Sequence, residues 1–219
     1  MNPRPLLLGH RGARAVQSIP ENTFASFDRA LADGCDGFEF DGRLTADKQA
    51  VVCHDPKVGA LDIAGATAQQ LAGLPRLGDV LERYQDRAFL DIELKVPGLE
   101  RITVDLLRAH PPLRGFLVSS FLPEALHTLY DTDSSVPLGL ICETKSQLRQ
   151  WRKLPLEYVV PHYKLVSEDL IGELRKANKK IFVWTVNHPD LIQRFVNWNV
   201  QGIISDDPSL LTESVPTPG

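Results

Sequence analysis

The sequence predicts an α/β protein of the (β/α)8 TIM-barrel class, built as a single domain. Three observations predict it. Eight apolar runs of strand length each give way to a segment of helical spacing. Strands that alternate with helices imply right-handed crossovers and a parallel sheet. The polar residues with reactive side chains collect where the apolar runs end, the face on which barrels of this kind build their sites. A doubly wound open sheet is the competing architecture, but no glycine-rich phosphate loop follows the first strand. At 219 residues the chain is short for such a barrel, so its loops are expected to be compact.

The first strand is expected over residues 6–10. Asn22 or Thr23 caps the helix that follows, with Phe24, Phe27 and Leu31 on one stripe and Gly34 as its stop. The second strand covers 38–41, and 50–53 adds a short extended piece. A helix at 77–84 leads to the third strand at 88–95 and a helix near 99–109. The alternation continues with strands at 116–120, 138–142, 158–161, 181–186 and 202–205. The helices between and after them fall near 123–130, 146–153, 168–177, 189–197 and 208–211. The domain is expected to span 1–212, with 213–219 as a flexible C-terminal tail.

Composition narrows the function. A net charge of −4 without a basic tract argues against a nucleic-acid partner. The N-terminal leucine run is too short for a signal peptide, and no apolar run reaches the length of a membrane span, so no stable membrane insertion is expected. Cys35, Cys53 and Cys142 form neither a metal spacing nor a disulfide framework; they read as small buried hydrophobes of a reduced, cytoplasmic protein. Nothing in the sequence indicates an oligomeric state.

The stretch DGFEFD at 36–41 carries the first chemical signal. In a strand, Phe38 and Phe40 share one face and Glu39 and Asp41 the other. Two carboxylates side by side on an inner face are costly unless solvent, a basic side chain or a cation pairs with them. The third strand, FLDIELK, sets Asp91, Glu93 and Lys95 on one face. Glu39, Asp41 and Glu93 thus come from neighbouring main strands, and three carboxylates suit one hard divalent cation, Mg2+ or Ca2+. No cysteine or histidine joins them to favour zinc. Arg11 and Lys95 bring positive charge to the same mouth, as a phosphate oxyanion requires. His10 and His54 exchange protons near neutral pH. Charge stabilisation with one acid and one base is the equipment of phosphate-ester cleavage. Other strand-end residues have ordinary readings: Ser119, Ser120 and Phe121 pack or hydrogen-bond nearby, Asp206 holds a loop or orients a neighbour, and Asn22 and Thr23 are cap and turn residues.

The segment GHRGARAVQSIPENTFASFDRALADGCDGFEFDGRLTADKQAVVCHD resembles the signature of the glycerophosphodiester phosphodiesterase family. LPRLGDVL, DIELK, VSSF, VWTVN and QGIISDDP are similar to later family blocks and occur in family order. The resemblance implies a (β/α)8 barrel that hydrolyses small-molecule glycerophosphodiesters to glycerol 3-phosphate and an alcohol. By the same resemblance, His10 and His54 are the catalytic histidines and Arg11 and Lys95 bind the phosphate. Glu39, Asp41 and Glu93 hold the metal, and Trp184 lines the substrate pocket. A phospholipase D-like activity on lysophospholipids and a non-catalytic phosphodiester-binding barrel are the rival readings. The chain departs from the family in one place. The insertion after the second strand is short, with only residues 56–76 between Asp55 and the next helix and no arginine just after His54-Asp55. A more open mouth, tolerant of varied alcohol groups, is the expected consequence.

Overall fold

The computed structural model describes residues 4–215. Its elements run β1 (Leu6–His10), α1 (Phe24–Ala32), β2 (Gly37–Leu44), β3 (Ala50–Val52), β4 (Lys57–Val58), β5 (Leu61–Asp62), α2 (Leu77–Tyr84), β6 (Phe89–Leu94), α3 (Glu100–Ala109), β7 (Phe116–Ser120) and α4 (Pro123–Thr132). They continue with β8 (Leu138–Cys142), α5 (Lys145–Leu148), β9 (Tyr158–Pro161), α6 (Glu168–Lys176), β10 (Lys180–Val183), α7 (Pro189–Asn197), β11 (Gly202–Ser205) and α8 (Pro208–Glu213). Strands β1, β2 and β6 to β11 pair in parallel in that order, and β11 returns to β1, so the predicted barrel closes. Among the described residues, no helix is long and apolar enough to cross a membrane.

The alternation in DGFEFD is realised. Phe38 and Phe40 are fully buried between barrel and helices; Phe38 stacks on Phe27 of α1 at 4.2 Å and meets Tyr84 of α2 edge-on at 4.9 Å. A second, smaller cluster fills the barrel itself: Leu8, Phe89, Leu117, Ile141, Tyr158, Val160, Phe182 and Ile204. Room for that filling comes from glycine. A Cβ at Gly139 would lie 2.6 Å from the Leu117 side chain, which is closer than packed carbons approach. Phe38→Ala is therefore expected to cost about 3–5 kcal/mol of stability, measurable by urea unfolding; a loss under 1 kcal/mol would show that the aromatic layer is not the core it resembles.

The structure adjusts several boundaries. Residues 181–186 were expected as one strand, but β10 ends at Val183. Beyond it Trp184 forms a single bridge to His162, the Val186 amide donates to the Ile204 carbonyl, and Pro189 opens the next helix. The helix expected near 146–153 is α5 only through Leu148 and a tighter 3-10 turn thereafter, launched by a capping box of Thr144 and Gln147. The region after β2 is not structureless: β3 runs antiparallel to β2, β4 and β5 form a hairpin around Gly59, and Val51, Ile63, Ala66 and Leu71 make a small core beneath them. At the C-terminus α8 continues to Glu213 and Val215 is buried. The rest of the expected tail, 216–219, lies outside the described residues.

Candidate active site

Strand register brings the acids together. Glu39 sits opposite His10 on one side and Asp91 on the other, and one step further along Asp41 faces Glu93, which faces Ser119. All four carboxylates point into the barrel and are buried: Glu39 is 4 % exposed, Asp41 and Asp91 1 %, and Glu93 7 %. Asp91 accepts a 2.6 Å hydrogen bond from the Ser119 hydroxyl. Lys95, one residue past β6, places its ammonium 2.8 Å from Glu93 Oε1 and 3.4 Å from Asp41 Oδ1.

A strained turn after β1 supplies the arginine. Arg11 has φ of 51° and Gly12 of 84°, the left-handed region that costs a side-chain-bearing residue energy. The turn is held from several sides. The Arg11 amide donates to Glu39 Oε2 at 3.0 Å, and the Ser26 hydroxyl donates to the Arg11 carbonyl. The Ala13 amide donates to the same hydroxyl. The guanidinium is thereby carried to Glu21 at 2.8 Å and Asp41 at 3.4 Å. Asn22 lies in a turn, as expected, but it is not the cap of α1. Thr23 alone caps α1, accepting from the Ser26 amide. Asn22 instead has φ of 58°, is buried, and donates from Nδ2 to Asp41 Oδ2 at 2.8 Å.

Both histidines are held the same way. His10 Nδ1 lies 2.6 Å from Asp206 Oδ1. Asp206 also receives Asn187 Nδ2 at 2.7 Å and Arg14 at 3.2 Å. His54 Nδ1 lies 2.8 Å from Asp55 Oδ1, and Arg43 donates to the His54 carbonyl from two nitrogens. A carboxylate accepts only, so each Nδ1 carries the proton and each Nε2 is left to act. His10 Nε2 points toward Glu39, 3.8 Å from Oε2.

Electrostatics separates the acids. Burial, then the charges of Asp41, Glu93 and Asp91, hold the Glu39 carboxyl well above the usual carboxylate range. Glu93 is pushed up to about 7 by burial and by Asp41, against the pull of Lys95. Burial likewise raises Asp91 to about 7 although Ser119 pulls the other way. Burial acts on Asp41 too, but Lys95, Arg11 and Asn22 together outweigh it and lower its pKa. His54 is lowered by burial more than Asp55 raises it.

Such a cluster fits a cation. Glu39, Asp41 and Glu93 each present a carboxylate oxygen, and these oxygens lie within 4.8 Å of one another. Glu39 Oε1 is buried without a hydrogen-bond partner, a state buried carboxylates rarely keep, and the one ammonium of Lys95 serves both Glu93 Oε1 and Asp41 Oδ1. An all-oxygen anionic donor set is what Mg2+ or Ca2+ takes.

The predicted residues converge. His10, Arg11, Glu39, His54, Glu93, Lys95 and Trp184 line one cavity of about 290 Å3 at the carboxyl ends of the strands, and Asp41 meets two of these lining residues, Arg11 and Lys95. Sequence reasoning missed Asn22 and did not assign Asp206 to His10 or Glu143 to the cavity rim. Fold and mouth together define a barrel enzyme whose site is built for an oxyanion ester. The chain belongs to the Glycerophosphoryl diester phosphodiesterase family, whose model it matches over residues 10–210. It is 28 % identical over 240 residues to a glycerophosphodiester phosphodiesterase of Caldanaerobacter subterraneus, covering 97 % of this chain and 98 % of the relative. In fold it is similar to a solved glycerophosphodiester phosphodiesterase of Thermotoga maritima, with a TM-score of 0.83, 23 % identity and coverage of 97 % and 99 % of the two chains. It is also similar to an Oleispira antarctica phosphodiesterase solved with its product sn-glycerol-3-phosphate, with a TM-score of 0.84, 22 % identity and coverage of 96 % of each chain.

Proposed function

We propose that this enzyme hydrolyses glycerophosphodiesters to glycerol 3-phosphate and an alcohol. His10 and His54 transfer the protons, and Glu39, Asp41 and Glu93 hold one Mg2+ or Ca2+ ion. The observation that carries the reading is the convergence, around one cavity, of two cationic side chains, a carboxylate cluster and two imidazoles with carboxylate-held Nδ1 atoms. The relatives named above support it.

Arg11 and Lys95 bind the phosphate oxygens and offset their charge; Glu21, Asp41 and Glu93 keep both cations aimed inward. One imidazole Nε2 takes the proton of the nucleophile, a water or the glycerol 2-hydroxyl, as its oxygen bonds to phosphorus, and the other gives a proton to the alkoxide as the ester P–O bond breaks; after attack by the 2-hydroxyl, water then opens the cyclic phosphate. Asp206 and Asp55 act through the histidines, fixing the ring orientation that exposes Nε2. Glu39, Asp41 and Glu93 would hold a divalent cation, which would supply Lewis-acid stabilisation of the phosphoryl oxygens. Three free cysteines support a reducing, cytoplasmic setting.

The test is release of glycerol 3-phosphate from glycerophosphoethanolamine and glycerophosphocholine, with and without EDTA. Turnover that EDTA abolishes and Mg2+ or Ca2+ restores is expected; no release under any condition would end the proposal. The short segment after β3 leaves the mouth open. The two esters, which differ by three methyl groups, are therefore expected to differ in kcat/KM by less than about tenfold, below what a closed apolar pocket imposes.

A further inference from the structure

The phosphate machinery occupies only one side of the mouth. His10, Arg11, Glu39, Asp41 and Glu93 belong to β1, β2 and β6 or to the turns just after them. In the barrel order, β8 stands directly across from β1. The wall there is of another kind. Trp184, just past β10, is fixed by its indole Nε1, which donates to the Val160 carbonyl at 2.9 Å. Phe121, just past β7, meets it at 85° with ring centres 5.7 Å apart. The two rings form a right-angled aromatic corner that lines the cavity. Phe121 already lies 5.8 Å from an ammonium, that of Lys95.

Glu143, the first residue after β8, sits at this corner's rim. It is exposed, and among the described residues its carboxylate forms no ion pair. Its backbone amide is tied to Gln147 in the capping arrangement of α5, and its carboxylate acts electrostatically on His162, whose ring meets Trp184 at 5.3 Å, so the charge is anchored beside the corner. An aromatic corner beside an acid that is not ion-paired is the arrangement that holds an alkylammonium group: ring faces attract the cation and the carboxylate offsets its charge.

We infer that Trp184, Phe121 and Glu143 form a subsite selecting glycerophosphodiesters whose alcohol carries a cationic ammonium or trimethylammonium group. The inference rests on the phosphodiesterase reading above and adds the substrate class. A diester with its phosphate at Arg11 and Lys95 extends its alcohol across the barrel toward β8. Discrimination is by charge and not by size, in keeping with the open mouth.

Glycerophosphocholine and its uncharged 3,3-dimethylbutyl isostere have the same shape and differ in charge alone. Wild-type kcat/KM is expected to favour the choline ester by about tenfold, the scale of a partly desolvated cation–aromatic contact. In Glu143→Gln the preference should shrink by about threefold, as loss of a rim charge implies, and in Glu143→Lys it should shrink further. Equal cleavage of both esters by the wild type, or the same preference in wild type and Glu143→Gln, would overturn the subsite while leaving the phosphodiesterase intact. Cleavage of neither ester would remove that reading and this inference with it.

Discussion

His10→Ala is expected to lower kcat by about 100-fold to 10,000-fold, the range that a positioned proton-transfer group contributes. His54→Ala should do the same. Neither should unfold the protein. His54 is about a third exposed, and its main-chain carbonyl keeps its Arg43 partners when the ring is gone. His10 is more enclosed, but its ring contacts Asp206 and the cavity, and the aromatic core at Phe27, Phe38 and Tyr84 lies on the other side of the strand layer. Matched thermal unfolding and turnover on purified variants separate the two effects. Turnover near wild type in either variant removes that imidazole from the chemistry; loss of folding with loss of turnover assigns it a structural role.

Glu39→Gln should have opposite effects on stability and on metal affinity. In chelated protein Glu39 is a buried carboxyl beside Asp41, Glu93 and Asp91, held in place against desolvation and like-charge repulsion. The neutral isostere removes that cost while its carbonyl still accepts from the Arg11 amide, so the chelated variant is expected to be more stable by about 1–3 kcal/mol. The stabilisation that added Mg2+ or Ca2+ brings should shrink, because a tenfold weaker site loses about 1.4 kcal/mol at saturating ligand. Chelated wild type should also lose stability as pH rises. Glu93 and Asp91 titrate at about 7 in the folded chain, above the usual carboxylate range. Between an unfolded value near 4 and that folded value, the native state binds more protons than the unfolded one, so stability falls from about pH 5 to about pH 8. Thermal melts across that range in EDTA check this; stability that climbs over it contradicts the assignment.

What the sequence made legible follows from the range of each signal. The alternation of Phe38, Glu39, Phe40 and Asp41 needs only a strand to be read, and it assigned both faces correctly. Register was not legible: that Asp41 faces Glu93 depends on how two strands slide past one another, which no local pattern in either strand fixes. Asn22 was masked by its neighbour. Thr23 supplies the cap signal that the pair displays, and the tolerance of asparagine for positive φ was the unread clue that it serves another purpose. Asp206 is 196 residues from His10, and only closure of the last strand onto the first makes them partners. Barrel closure was predicted, so an acid just past the last strand could have been placed beside the histidine ending the first. The hairpin of β4 and β5 gave no signal because its strands are two residues each and exposed.

Equilibrium titration of metal-free protein with Ca2+ or Mg2+ by calorimetry tests most directly whether Glu39, Asp41 and Glu93 share one ion. One site per chain is predicted for the wild type, with affinity at least about tenfold weaker in Glu39→Gln. No binding to the wild type, or binding of equal strength to both proteins, would contradict it.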